Sequence, residues 1–211
     1  LSEAAQTGHL GIVNTISEMG KALVKGELLQ LSGSKDAIYN QNYYFDVIKA
    51  KTAALFCTCA KLGALSTLKE LDDKAQRLIE MSENLGICFQ LKDDVFDFSD
   101  IEDLGKPTMN DIRDGKATLP LIKSLQRATK EEAAHIKELA EALASKSPHI
   151  DVFEAEQEIR SFVLRYDGIR YSHQLMEKYR KKAIEALSSL PDNKYKESLI
   201  ALLNYAINRV H

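Results

Sequence analysis

The chain has few of the residues that break helices or cross-link chains, with four prolines, ten glycines, three cysteines and no tryptophan among 211 residues. Its longest strongly apolar run, residues 52–60, lies between two lysines and is far too short to span a bilayer. We recognise neither a transmembrane helix nor a signal peptide, so we predict that the protein is not an integral membrane protein. The net charge of −3, with lysines spread along the chain, makes nucleic-acid binding a poor hypothesis.

The cysteines, at positions 57, 59 and 88, are odd in number, which argues against a disulfide framework. On a helix, Cys57 and Cys59 point about 200° apart, so they converge neither on a metal nor on each other. We interpret all three as small buried side chains. This interpretation fits a reducing setting and predicts a cytoplasmic location.

Apolar residues recur every three or four positions along almost the whole chain, and no strand-like alternation of useful length appears. With 45% hydrophobic residues the chain can form one core, so we predict an all-α fold and a single domain over residues 1–211. Thr129 with Glu132 and Asp151 with Glu154 have the spacing of capping boxes. We predict helices at 9–31, 43–65, 67–98, 117–127, 130–145, 151–166, 169–189 and 193–209.

Three carboxylates, Asp93, Asp94 and Asp97, lie in an otherwise apolar helical stretch. On a helix, positions 93 and 97 project from one face and 94 lies beside 93, so all three can reach one small volume. Mg²⁺ prefers one or two carboxylates together with water and substrate phosphate oxygens. The trio therefore predicts an Mg²⁺ site for a phosphorylated substrate.

A solvated acidic face is the plainer interpretation of these aspartates. Acidic groups near a helix C-terminus oppose the helix dipole, however, and a bound cation would offset that cost. Apolar neighbours also leave little of this helix to face water: Phe89, Leu91, Val95, Phe96 and Phe98. We therefore predict that the carboxylates line a cavity with hydrophobic walls.

The stretch from Ser99 to Lys116, which begins where the aspartate helix stops, is predicted to be non-helical. It contains Lys106 and Lys116 beside glycines and a proline. Isolated loop lysines are ordinarily surface charges, but a cation next to the carboxylates can complement phosphate charge. We therefore interpret both lysines as candidate phosphate ligands.

Two other helices place polar residues in apolar company. Lys51 and Thr52 begin an apolar stripe, where the lysine either reaches the surface or points its ammonium group into a polar cavity. Glu27 and Gln30 lie about one turn apart on an earlier helix. Taken alone, each pair is a weak signal.

Five segments occur in a specific order and spacing: Gly26-Glu-Leu-Leu-Gln-Leu31, Lys51-Thr-Ala53, Phe89-Gln-Leu-Lys-Asp-Asp-Val-Phe-Asp-Phe98, Gly105-Lys-Pro107 and Asp114-Gly-Lys-Ala-Thr-Leu-Pro-Leu121. Together they resemble the trans-prenyltransferases, also called polyprenyl diphosphate synthases. The first two segments look more like bacterial long-chain synthases of the octaprenyl or heptaprenyl type than like farnesyl synthases. The motifs cover residues 1–125, and the rest of the chain resembles the family in its helical pattern.

The resemblance implies an antiparallel helical bundle of the isoprenoid synthase type around a central cavity. It implies a Mg²⁺-dependent reaction that joins an allylic prenyl diphosphate to isopentenyl diphosphate, and a homodimer. It also implies that Asp93 and Asp97 ligate Mg²⁺, with Asp94 a further ligand or a neighbour of one. Lys51 and Lys106 would then hold the leaving diphosphate.

The same resemblance assigns roles to the remaining candidates. Thr52 and Gln90 would present oxygens toward the allylic cation, and Glu27 and Gln30 would line the cavity wall. Phe89 and Lys116 would complete the substrate-binding residues.

The sequence departs from the family in two ways. It contains no first aspartate-rich motif, since Asp72-Asp73 lacks a third carboxylate and position 76 is Gln, and Met109 stands where many relatives have glycine. We expect the chain to be the C-terminal portion of a longer synthase, inactive alone, because part of the metal site and the isopentenyl diphosphate pocket would lie upstream. The alternatives are a noncatalytic helical subunit of a heteromeric prenyl synthase and a terpene-cyclase-like diphosphate lyase.

Overall fold

A computed structural model describes residues 2–34, 36–99 and 108–209. No strand occurs among these residues, and the all-α prediction is confirmed. The helices are α1 (Ser2–Gln6), α2 (Leu10–Ser32), α3 (Gln41–Ile48), α4 (Ala54–Leu65), α5 (Asp73–Phe96), α6 (Asn110–Arg113), α7 (Leu119–Arg127), α8 (Lys130–Ala144), α9 (Val152–Arg165), α10 (Gly168–Ser188) and α11 (Lys194–Asn208).

All eight predicted helices are present, and the differences lie at their boundaries. Helix α5 begins at Asp73 rather than at 67, because the Asp72 carboxylate accepts a hydrogen bond from the backbone N–H of Ala75 and caps the helix there (2.8 Å). Thr129 and Glu132 form the predicted capping box at the start of α8. The stretch predicted to be non-helical contains the short helix α6.

A turn of π-helix, Lys49–Ala53, joins α3 to α4 without a break. Such wide turns occur frequently at functional sites, and this one contains Lys51 and Thr52. Two glycines allow neighbouring helices to approach it closely. A Cβ on Gly26 of α2 would lie 2.7 Å from Cγ of Lys51, and one on Gly86 of α5 would lie 2.7 Å from Cα of Ala53.

The chain divides into two compact units. The first comprises residues 2–32, Phe45–Gln90 and Met176–Arg209. Its core packs α5 against α10 and α11: Met81, Leu85, Ala183, Ala186, Leu187, Leu203 and Ala206. The single domain predicted over the whole chain stays a prediction.

The second unit comprises the described residues of Gly33–Tyr44 and Leu91–Leu175. Its core joins the end of the aspartate helix to helices α6 to α9: Phe98, Met109, Ile112, Leu121, Leu125, Ile136, Ala140, Leu143, Ala155, Ile159, Phe162 and Val163. Three helices, α3, α5 and α10, have residues in both units.

The interpretation of all three cysteines as buried is wrong for Cys59, which is exposed, while Cys57 is half-buried and Cys88 is buried. Two residues nearly opposite on one helix cannot both face the core. None of the described helices combines the length and the apolar character that a membrane crossing requires.

Candidate functional site

In the first unit, the ammonium group of Lys51 lies against two polar side chains of α2. It donates a hydrogen bond to Oε1 of Gln30 (2.5 Å) and forms an ion pair with Oε2 of Glu27 (2.5 Å). Gly26, directly before Glu27, lets the lysine stem pass close to α2. The structure thus brings together three predicted site residues and gives the neighbouring glycine a steric role.

Thr52, the next residue of the π turn, contacts α5. Its hydroxyl group donates a hydrogen bond to Oε1 of Gln90 (2.8 Å). Because the hydrogen atom of the hydroxyl group points toward the amide oxygen, the lone pairs of Oγ1 can face an electron-poor group. These two residues, predicted to act together, are therefore in direct contact.

Phe89, also on α5, packs against Phe56 with ring centroids 5.6 Å apart. The guanidinium group of Arg209 lies 3.9 Å from the centroid of the Phe89 ring and donates to the Phe89 carbonyl oxygen. This placement makes Phe89 part of an aromatic and cationic cluster in the first unit. Its assignment to substrate binding stays a prediction.

In the second unit, the three aspartates have different environments. Asp93 is half-buried on the last turn of α5, and the backbone N–H of Asp97 donates to its carbonyl oxygen, so the two residues are one helical turn apart as predicted (3.2 Å). Asp94 is only 1% exposed, and its Oδ2 accepts a hydrogen bond from the hydroxyl group of Tyr44. Asp94 is thus anchored inside the protein.

The Asp97 carboxylate is held by the backbone at the start of α6. Oδ1 accepts from the N–H of Asn110 (2.9 Å) and Oδ2 from the N–H of Asp111 (3.1 Å). Burial raises the pKa of Asp97 to about 6, and the nearby charge of Asp111 acts in the same direction, although these hydrogen bonds and Lys116 oppose the rise. The two hydrogen bonds from the backbone give both carboxylate oxygens a defined orientation.

Of the two predicted loop lysines, Lys116 lies among carboxylates. Its ammonium group contacts Asp114 (2.9 Å) and Asp111 (3.3 Å). Burial acts to lower the pKa of Lys116, but the hydrogen bonds and charges of these two aspartates outweigh it and the net shift is upward. Lys106 lies outside the described residues.

No group of three or more His, Cys, Asp or Glu side chains within residues 2–34, 36–99 and 108–209 is arranged to hold a metal ion. Mg²⁺, however, commonly takes only one or two carboxylates and completes its shell with water and substrate phosphates. Asp93, together with the lone pairs that Asp97 does not use for its backbone bonds, fits that donor set. The assignment of all three aspartates as metal ligands stays a prediction.

Sequence reasoning missed a buried charged group on α9. Arg160, only 6% exposed, donates to the Ser99 carbonyl oxygen and to the Thr108 hydroxyl group. One turn earlier, buried Glu156 accepts from Nε of Arg113. The available signal was a pair of opposite charges beside the apolar positions of that helix, a pattern that also occurs on solvated helices.

Comparison with known proteins identifies the class to which this all-α fold and its acidic helix belong. The family model described as Polyprenyl synthetase matches residues 1–156. The chain therefore belongs to the polyprenyl synthetase family, as the five segments predicted.

Two of the most similar curated relatives are named as synthases of different prenyl diphosphates. Octaprenyl diphosphate synthase from Haemophilus influenzae is 30% identical over 207 residues, which are 97% of this chain and 60% of the relative. Geranylgeranyl diphosphate synthase from Saccharolobus solfataricus is 35% identical over 181 residues, 85% of this chain and 52% of the relative. The chain thus spans 60% or less of the length of these two curated relatives.

Solved structures give the same result. The geranylgeranyl pyrophosphate synthase of Bacteroides thetaiotaomicron superposes with a TM-score of 0.86 at 36% identity, covering 98% of this chain and 66% of that one. The polyprenyl synthase of Caulobacter crescentus, solved with calcium and isoprenyl diphosphate, has a TM-score of 0.83 at 31% identity, covering 98% and 61%. These similarities agree with the all-α fold and with membership of the family.

Proposed function

We propose that the protein acts as a Mg²⁺-dependent trans-prenyltransferase that joins an allylic diphosphate to isopentenyl diphosphate. The observation that carries this proposal is the placement of Asp93 and Asp97 one helical turn apart, with the Asp97 carboxylate oriented by two backbone N–H groups. Family membership supports it, as does the Caulobacter relative that holds calcium and isoprenyl diphosphate in its crystal structure.

Breaking the allylic carbon–oxygen bond builds negative charge on diphosphate and positive charge on carbon. When bound, Mg²⁺ would supply charge neutralisation for the departing diphosphate. Asp93 and Asp97 would hold the metal, while Asp94, bonded to Tyr44, would support the helix that carries them. We propose no catalytic role for Lys106 beyond the family resemblance, because it lies outside the described residues.

Lys51 would neutralise diphosphate charge that the metal leaves. To do so its ammonium group must exchange Glu27 or Gln30 for phosphate oxygens, since it contacts both of them. Thr52, whose hydroxyl group donates a hydrogen bond to Gln90, would direct oxygen lone pairs toward the allylic cation. Lys116, paired with Asp111 and Asp114, would contribute to phosphate binding only after a similar exchange.

The test is product formation by the protein as its gene encodes it, with labelled isopentenyl diphosphate, an allylic diphosphate and Mg²⁺. We expect a prenyl product, and we expect Asp93→Ala to lower turnover about 100-fold or more while helicity is unchanged. Asp73→Ala is the matched control, since this exposed aspartate lies at the other end of the same helix and should leave turnover within about twofold. A fully active Asp93→Ala enzyme would contradict the site assignment.

The same assay separates the competing functions. Stimulation of a second polypeptide without turnover would indicate a noncatalytic subunit, and a cyclic hydrocarbon made without isopentenyl diphosphate would indicate a cyclase. For the 211 residues alone we propose binding without turnover, because their sequence contains no first aspartate-rich motif. Homodimer formation is a further proposal, which sedimentation velocity measures directly.

A further inference from the structure

We call the described residues 93–99 and 108–116 of the second unit the acidic segment, and the guanidinium group of Arg160 contacts both of these parts. Nη1 donates to the carbonyl oxygen of Ser99, and Nη2 donates to the hydroxyl oxygen of Thr108 (3.0 Å). Both Arg160 and Thr108 are buried, with 6% and 4% of their surfaces exposed. The planar guanidinium group holds these donors on two nitrogen atoms in a fixed geometry, whereas a lysine ammonium group presents all its donors from one nitrogen atom.

Both acceptors are close in sequence to the groups that orient Asp97. Ser99 follows Asp97 by two positions, and Thr108 directly precedes Met109, whose N–H donates to the Asp97 carbonyl oxygen (2.9 Å). The next two N–H groups, those of Asn110 and Asp111, donate to the Asp97 carboxylate. A shift of Thr108 would therefore move the donors that fix both carboxylate oxygens.

The same face of α9 holds the far end of this segment. Glu156, one turn before Arg160 and 8% exposed, accepts from Nε of Arg113, the last residue of α6. Buried charged groups of this kind contribute little net stability, because desolvation offsets most of their attraction. Such groups can instead specify which geometry the contacting segment adopts.

We propose that Arg160 is a positioning residue for Asp97, acting through Thr108 and the backbone donors of Asn110 and Asp111. The inference rests on the proposed function, in which Asp97 binds a metal–diphosphate complex. Removal of hydrogen-bonding partners behind a metal ligand typically lowers metal affinity about 10- to 100-fold. Arg160 does not touch the ligand in this scheme, and it acts only by fixing the orientation of Asp97.

The test compares Arg160→Met with Arg165→Met on the same helix. Arg165 has an exposed side chain (61%) that pairs with Glu132, so its replacement makes the same charge change away from the acidic segment. Calorimetric titration of the chain with Mg²⁺ and inorganic pyrophosphate should show about 10-fold weaker binding for Arg160→Met. Arg165→Met should stay within about twofold of the unaltered chain.

A second readout needs no ligand. The backbone amide signals of Asn110 and Asp111 in NMR spectra, and their hydrogen-exchange protection, should change in Arg160→Met and stay unchanged in Arg165→Met. Arg160→Lys should resemble Arg160→Met, because lysine keeps the charge and loses the fork. Thr108→Val, which removes one acceptor without adding or removing charge, should shift the same amide signals and decides the matter if Arg160→Met does not fold.

The outcomes are distinguishable. Failure of the unaltered chain to bind Mg²⁺–pyrophosphate contradicts the proposed function. Binding by the unaltered chain that is equally tight in Arg160→Met or Thr108→Val, with unchanged Asn110 and Asp111 signals, contradicts the positioning role alone. Restoration of affinity in Arg160→Lys while the Asn110 and Asp111 signals stay altered would show that the positive charge matters and the bridge does not, and would also overturn the proposal.

Discussion

The hydroxyl group of Tyr44 donates a hydrogen bond to Oδ2 of Asp94, and both side chains are buried. A buried carboxylate is costly unless hydrogen-bonding groups surround it, so this contact reduces a cost that the aspartate helix would otherwise bear. Asp94 therefore has a different environment from Asp93, although the two are adjacent in sequence. Asp94 stabilises the end of α5, and Asp93 remains half-buried at its surface.

Replacement of Tyr44 by Phe should therefore destabilise the protein. The ring is kept and only the donor to a buried acceptor is lost, so we expect the free energy of unfolding to fall by about 1–3 kcal/mol. Urea denaturation, monitored by circular dichroism, measures this free energy of unfolding. Tyr195→Phe is the control, because Tyr195 is 69% exposed and its loss should change stability by less than about 0.5 kcal/mol. Equal stability of the two variants would show that the Tyr44 contact carries no energy.

Met109 has a left-handed backbone conformation, with φ of 62°, although its side chain is completely buried. Side chains strain this region of φ, and glycine does not, so the backbone at this position would suit glycine better than methionine. The methionine in turn fills space in the core of the second unit. Strain and packing therefore oppose each other at one residue.

We predict that Met109→Gly is more stable than Met109→Ala, by about 1 kcal/mol. Both variants lose the buried side chain, at about 2–5 kcal/mol, but only glycine releases the backbone strain. Met176, buried inside α10, is the matched control, and there alanine should be the more stable replacement by about 1 kcal/mol. The same order at both positions would contradict the strain argument.

The helices could be predicted because each leaves a local signal. Apolar spacing of three and four marks α2, α5 and α9, and the capping pair Thr129 and Glu132 marks the start of α8. The spacing of Asp93 and Asp97 could likewise be predicted, since one helical turn fixes it. In each case, residues close in sequence determine the structure.

Contacts between distant segments left no such signal. The bond from Tyr44 to Asp94, the bridge from Arg160 to Thr108 and the different exposures of Cys57 and Cys59 depend on which helices pack together. The π turn also escaped prediction, because its residues have ordinary helical periodicity. Its two glycine neighbours were visible in the sequence, but their close approach is a tertiary property.

Replacement of a helical glycine by alanine should have opposite effects at a contacting position and at an open one. A Cβ on Gly86 would lie 2.7 Å from the backbone Cα of Ala53, which cannot move as a flexible side chain can. We expect Gly86→Ala to lower stability by about 1–3 kcal/mol. Gly20, also helical, has nothing within 4 Å of an added Cβ, so Gly20→Ala should raise stability by about 0.5–1 kcal/mol. Thermal unfolding shows whether each variant is more or less stable than the unaltered protein. Stabilisation by Gly86→Ala would contradict the close approach of Gly86 to Ala53.

The three free thiols offer a test of the first unit that requires no ligand. Cys59 is exposed, whereas Cys88 is buried with its Sγ within 3.4 Å of the Met176 carbonyl oxygen. Burial raises the pKa of Cys88 to about 12 and that of Cys57 to about 11, with nearby carboxylates acting in the same direction. The reactive species is the thiolate, so both groups stay protonated and slow near pH 8.

We therefore expect a disulfide reagent at pH 8 to modify Cys59 in a fast phase, Cys57 slowly and Cys88 only when the protein unfolds. Cys59→Ser should abolish the fast phase, while Cys88→Ser, the matched control, should leave it intact and remove the phase that requires denaturant. Because a raised pKa keeps the thiol protonated, increasing the pH from 7 to 9 should leave Cys88 unreactive in the folded protein. Fast labelling of Cys88 without denaturant would mean that the packing of α5 against α10 is not the one described.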